Sequence, residues 1–148
     1  MLVQIAVGTA MLLLNITIAA IAALVLELVF QRAHTWLSRE PHGPKLVLAI
    51  AGVSLAVLGV ITIGMWLWAL LYYALGAFPT LEHCLYFSSG IYTTLGPGDT
   101  LLPKDWRLLG GMEAANGFLT FGLLTALLIE ALRQVRLKQA QTRRIDRT

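Results

Sequence analysis

Apolar residues run along this chain in long blocks rather than in alternation. Residues 2–30 hold no charged side chain before Glu27, and 46–75 hold none at all. A third block, 107–132, admits Glu113 and Asn116 near its start and Glu130 near its end. About 20 apolar residues suffice to cross a hydrocarbon core of about 30 Å, so the blocks predict three spanning helices. The first block has no basic residue ahead of it and is about twice as long as the apolar region of a secretory signal, so it reads as a retained helix. Polar breaks separate the blocks. The stretch 31–45 contains Pro41, Gly43 and Pro44 and reads as a loop. Residues 76–106 are richer in structure signals. Pro79 and Thr80 precede an apolar run from Leu81 to Tyr92, with Thr80 placed to cap a helix and Glu82 in its first turn. At 1.5 Å per residue, such a helix is about 18 Å long and too short to cross. It predicts a re-entrant segment, which a bilayer tolerates only where its backbone is buried in protein or lines a wet cavity.

Composition sharpens this reading. Of 148 residues, 57% are hydrophobic and 13% charged, with a mean hydropathy of +0.74. A soluble domain carries about 25% charged residues, so the lipid bilayer is the expected solvent. The aromatic residues of 66–73 suit a membrane–water interface. Six of the eleven basic residues lie from Arg133 onward, where Asp146 is the one acid. Beside a spanning helix, that tail reads as a positive-inside anchor and not as a nucleic-acid surface. The 31–45 loop is also basic, and three spans put it on the tail's side. Both are expected in the cytoplasm, with the N-terminus outside. The single cysteine, Cys84, makes no intramolecular disulfide. His34, His42 and His83 have no ligand-like spacing, and no nucleophile–base set appears. No cofactor, metal centre or enzymatic activity is expected.

The stretch Thr93-Thr94-Leu95-Gly96-Pro97-Gly98-Asp99 follows the short helix. With "GFLTFGLLTA" in the last apolar block, it resembles the pore module of the tetrameric potassium-channel family over residues 46–132, and is similar to that superfamily's small bacterial ion-channel proteins. The family's filter, Thr-Val-Gly-Tyr-Gly-Asp, falls on Thr94, Leu95, Gly96, Pro97, Gly98 and Asp99. The resemblance implies an all-α membrane protein with three transmembrane helices, a re-entrant pore helix and a filter loop. It divides the chain into an additional helix (1–30), a cytoplasmic loop (31–45), an outer helix (46–75), a pore helix (81–92), a filter (93–99), an inner helix (107–132) and a basic cytoplasmic tail (133–148). It implies a homotetramer in the cell membrane, of the bacterial inner-membrane kind, conducting a monovalent cation, potassium before sodium. The alternative is a non-conducting scaffold or regulatory subunit that keeps the pore fold.

Filter carbonyls replace a cation's hydration shell. Aiming successive carbonyls at one axis requires alternating backbone handedness, which Gly96 and Gly98, two apart, accept without a Cβ clash. Thr94 adds a hydroxyl at the inner mouth, and Asp99 falls at the outer mouth. Pro97 departs from the family, which has an aromatic there. Proline supplies neither that ring nor an N–H, though its φ near −65° suits a right-handed position. On the last helix, Glu113, Asn116 and Thr120 share a face with Gly117 and Leu124. Phe118, Phe121, Thr125 and Ile129 share another, which the resemblance assigns to the cavity, with Gly117 as the hinge glycine and Gly122 as a close-packing or bending point. Glu113 either bonds Tyr92, Thr93 or Ser89 and, with Asn116 and Tyr92, supports the filter, or lies at interfacial depth and reaches water.

Overall fold

The fold, taken from a computed structural model, describes residues 1–37, 42–96 and 98–145. It consists of α1 (Leu2–Leu37), α2 (His42–Ala74), α3 (Leu81–Tyr92) and α4 (Arg107–Ile145), with one 3-10 turn at Lys104–Trp106 leading into α4. Segments Leu2–Val29, Val47–Ala74 and Lys104–Glu130 are each long and apolar enough to cross a membrane. The protein is an all-α, multi-pass membrane protein.

Two expected boundaries move. The loop expected at 31–45 is largely helical, because α1 continues to Leu37 and α2 begins at His42. Gly43 and Pro44 thus fall in the first turn of α2. Proline is tolerated there because first-turn N–H groups have no intrahelical partner. Pro41 lies outside the described residues. The inner helix expected to end at 132 continues to Ile145, into the basic tail. Residues 133–145 contain no Gly or Pro and are rich in Leu, Arg, Lys, Gln and Ala, the strongest helix formers.

Local chemistry sets the turns around α3. Helix α2 stops in a Schellman motif: Ala77 N donates to the Tyr72 carbonyl at 3.0 Å and Gly76 N to the Tyr73 carbonyl at 3.0 Å. Gly76 takes φ 64°, the left-handed conformation this motif needs. Thr80 caps α3, its hydroxyl accepting from His83 N at 3.3 Å. Helix α3 then packs against both α2 and α4. Trp68, Tyr72, Cys84, Phe87, Tyr92, Leu109 and Leu124 fill the space between them. The Tyr72 and Phe87 rings meet edge to face, 5.4 Å apart. Trp68 and Tyr72 are therefore core residues and not the interfacial anchors their composition suggests; Trp66 and Tyr73 remain exposed. The helical repeat separates them, since 68 and 72 are four apart and share a face.

Helix α1 lies against α4 and α2 of its own chain. Glycines admit it. A Cβ on Gly8 would run into the Met112 sulfur and lie 3.2 Å from a Leu109 methyl.

Candidate functional site

The C-terminus of α3 leads directly into the glycine-rich segment, and the backbone there has a regular feature. Thr94 has φ 59°, Gly96 φ 105° and Gly98 φ 58°, so left-handed positions recur at every second residue. Gly96 and Gly98 adopt these conformations freely. For Thr94, a β-branched residue, the cost is on the order of 1–3 kcal/mol, which persists only where surrounding structure enforces it. The enforcement is visible. Thr94 N donates to the Ile91 carbonyl at 2.9 Å, Thr93 N to the Ser89 carbonyl at 3.2 Å, and Gly96 N to the Gly90 carbonyl at 3.1 Å. The last carbonyls of α3, which a helix end leaves without partners, are thus taken by the strand that follows. Pro97 lies outside the described residues. Leu95, Gly98 and Asp99 are exposed, and Leu95 is 87% so.

The close return of this strand onto α3 explains Gly90. A Cβ there would sit 2.7 Å from the Gly96 carbonyl oxygen, which is backbone and cannot rotate away. In an ordinary helix, Gly→Ala is favourable by about 1 kcal/mol. Here the displaced strand outweighs that gain. Gly90→Ala is expected to lower the thermal midpoint in detergent, whereas Gly59→Ala, where a Cβ meets nothing within 4 Å, leaves it unchanged or raises it. Equal midpoints for the two variants would remove this account.

The two faces of α4 separate as the helical repeat requires. Glu113, Asn116, Gly117, Thr120 and Leu124 turn inward and are buried, while Phe118, Phe121, Thr125 and Ile129 are exposed. Glu113 is completely buried, and its partners differ from those expected. Tyr72 O–H donates to Glu113 Oε2 at 2.6 Å, and Ser88 O–H to Glu113 Oε1 at 2.5 Å. Ser88 Oγ also lies 2.8 Å from the Met65 carbonyl. Neither Tyr92, Thr93 nor Ser89 bonds Glu113. The reason is rotational: Ser89 is about 100° further round α3 than Ser88, and its hydroxyl donates to the Tyr86 carbonyl at 2.8 Å instead. The carboxylate therefore clamps α2, α3 and α4 together one turn short of the glycine-rich strand. Asn116 is buried with both amide atoms lacking a hydrogen-bond partner, as is the Trp68 indole N–H.

Tyr92, the last residue of α3, carries the closest contacts. Its hydroxyl donates to Thr120 Oγ1 at 3.2 Å. Its backbone presses on Gly117, where a Cβ would collide with the Tyr92 carbonyl oxygen and lie 2.8 Å from the carbonyl carbon. Gly117 thus belongs to the buried face as a packing glycine, beside the open face that holds Phe118. Gly122 is exposed, and a Cβ there would meet nothing within 4 Å, so it is not a close-packing point within this chain. Glu130 and Arg133 form an exposed ion pair at 2.9 Å, three residues apart on α4.

Sequence reasoning missed Tyr72, Ser88 and Gly90. The four-residue spacing of Trp68 and Tyr72 puts them on one face of α2, but α2 is apolar on every side and nothing in its sequence marks that face as the buried one. Neither Ser88 nor Gly90 had a signal, since each depends on which side of α3 meets its neighbours. A family model described as ion channel matches residues 60–134, which contain α2 from its middle, α3, the glycine-rich strand and the spanning part of α4. Neither curated proteins nor solved structures gave a match.

Proposed function

The chain belongs to the ion-channel family, and we propose that it forms a homotetrameric cation channel whose filter is the strand Thr94–Gly98. The observation that carries this reading is the left-handed backbone at Thr94, Gly96 and Gly98, starting just after the end of a helix too short to span. Alternation at every second residue is what lets consecutive carbonyls address one axis and substitute for a cation's hydration shell. One chain supplies one such strand, so a ring around an ion needs further copies. The surface accords with this. Leu95, Phe118 and Ile129 are apolar, yet 87%, 72% and 61% exposed, on the strand and on the open face of α4. In a tetramer this face, with Phe121 and Thr125, lines the cavity, and the C-terminal end of α3 adds its partial negative charge, which favours a cation. Asp99 stands at the outer mouth. The expected orientation keeps the N-terminus outside and the basic end of α4 in the cytoplasm.

Potassium is the preferred ion, with sodium discriminated less strongly than in relatives that carry an aromatic at the position of Pro97. A tyrosine there adds a ring and a hydroxyl to brace the strand, and proline adds neither. The test is ion flux through liposomes containing purified protein. Pro97→Tyr is expected to raise the potassium-over-sodium permeability ratio about tenfold, the equivalent of one good hydrogen bond of about 1.4 kcal/mol. An unchanged ratio would count against bracing. Absence of flux from the unmodified protein, or a stable monomer in mild detergent, would overturn the channel reading.

A further inference from the structure

Helix α1 lies outside the matched interval 60–134, and most of its apolar surface is exposed. One of its polar side chains is not. Asn15 is 4% exposed in the middle of a spanning segment. Its Nδ2 donates to the Met11 carbonyl one turn back, at 3.0 Å, which fixes the amide so that Oδ1 points away from α1. That oxygen enters a notch in α2. A Cβ on Gly64 would lie 2.9 Å from Asn15 Oδ1 and would run into the Tyr92 hydroxyl, with the Tyr92 ring carbon 2.8 Å away. Asn15 Oδ1 and the Tyr92 hydroxyl thus both lie against the position of the missing side chain. Tyr92 O–H in turn bonds Thr120 on α4, and the Tyr92 backbone rests on Gly117. Helices α2 and α4 both meet the residue that ends α3, two positions before Thr94, and α1 reaches the same notch through Asn15.

We infer that α1 is a working part of the pore support, with Asn15 as a positioning residue that holds Tyr92, through the Gly64 notch, against α4. The inference deepens the channel reading and rests on it for its conduction arm. An amide oxygen in an apolar span is costly unless it has polar company. That oxygen and the Tyr92 hydroxyl share the space left by the missing Gly64 side chain, with the hydroxyl proton going to Thr120. Removing the amide frees the phenol to reorient, and the strand attached to it shifts. Replacing Asn15 by Leu keeps size and apolar packing while deleting the amide.

Two measurements on the full-length protein decide this. The first is 19F NMR of protein labelled with 3-fluorotyrosine, which gives one resonance for each of four tyrosines; the Tyr92 line is assigned by its loss in Tyr92→Phe. Asn15→Leu is expected to shift the Tyr92 line and leave the exposed Tyr86 line in place. An unmoved Tyr92 line overturns the inference, whether or not the protein conducts. The second is liposome flux. Asn15→Leu is expected to change the potassium-over-sodium ratio roughly fivefold, equivalent to about 1 kcal/mol, through the altered seat of Tyr92 in the Gly64 notch. The neighbouring Ile16→Ala leaves the ratio unchanged. In a Tyr92→Phe background, the Asn15→Leu effect is expected to vanish, since the ring remains but the hydroxyl does not. An equal effect in both backgrounds means simple packing and overturns the inference. So does a wild type that conducts while Asn15→Leu leaves its ratio untouched. A wild type without flux overturns the channel reading, and the NMR arm alone then decides for or against Asn15.

Discussion

Gly117→Ala is expected to abolish conduction and to lower stability by about 3 kcal/mol or more, the upper end of the overpacking range. Two effects oppose one another. Alanine is a better helix former than glycine by about 1 kcal/mol, which favours the variant. Against it, the new methyl group would overlap the Tyr92 carbonyl oxygen and crowd the Tyr92 carbonyl carbon at 2.8 Å and Cα at 3.1 Å. All three are backbone atoms, so no rotamer change relieves the contact. Relief requires α4 and the end of α3 to separate. That movement displaces Tyr92, and with it the strand whose left-handed positions begin at Thr94. The control is on the same helix. Gly122→Ala places a methyl where nothing lies within 4 Å, so it retains flux and gains or keeps stability. Thermal unfolding in detergent and liposome flux, measured on both variants, check the pair. Intact conduction in Gly117→Ala would show that a hinge or a looser packing, and not this backbone contact, governs position 117.

This pair also marks how far the sequence could be read. Period and composition identified three spans, the short helix over Leu81–Tyr92 with Thr80 as its cap, and the division of α4 into two faces. All of these follow from local spacing. Contacts between helices do not. Glu113 was expected to find a hydroxyl on α3, and it does, but on Ser88, because the choice between neighbouring serines depends on how α3 is rotated against α4. Trp68 and Tyr72 are indistinguishable in composition from interfacial aromatics, and only packing against Phe87 and Glu113 makes them core. Glycines suffered most. Gly64 and Gly90 read as generic small residues in apolar helices and Gly117 as a hinge, yet each is a notch filled from another element. The positive φ of Thr94 was equally hidden, since its residue type argues against that conformation. Pro97, the main departure from the family pattern, lies outside the described residues, so its consequences rest on flux.

Glu113→Leu is expected to destabilise the protein by about 1–3 kcal/mol per chain, while Glu113→Gln is tolerated. Leucine fills the space but leaves the Tyr72 hydroxyl buried with no acceptor, since its bond to Glu113 Oε2 at 2.6 Å is lost. Ser88 suffers less, because the Met65 carbonyl 2.8 Å away still accepts its proton. Glutamine keeps every contact. Its amide oxygen accepts from Tyr72, its NH2 donates to Ser88 Oγ, and the Ser88 hydroxyl donates to Met65. The site presents hydroxyls and a carbonyl, so a neutral amide of the same shape serves as well as the carboxyl. The double variant separates a hydrogen-bond clamp from a space-filling role. Tyr72→Phe alone costs about 1 kcal/mol, but Tyr72→Phe combined with Glu113→Leu is expected to be more stable than Glu113→Leu alone, because no orphaned donor remains. Thermal midpoints of the four proteins in one detergent give the coupling directly. Strict additivity would mean that Glu113 acts by volume alone, and a glutamine variant as unstable as the leucine variant would mean that its charge is what the three helices require.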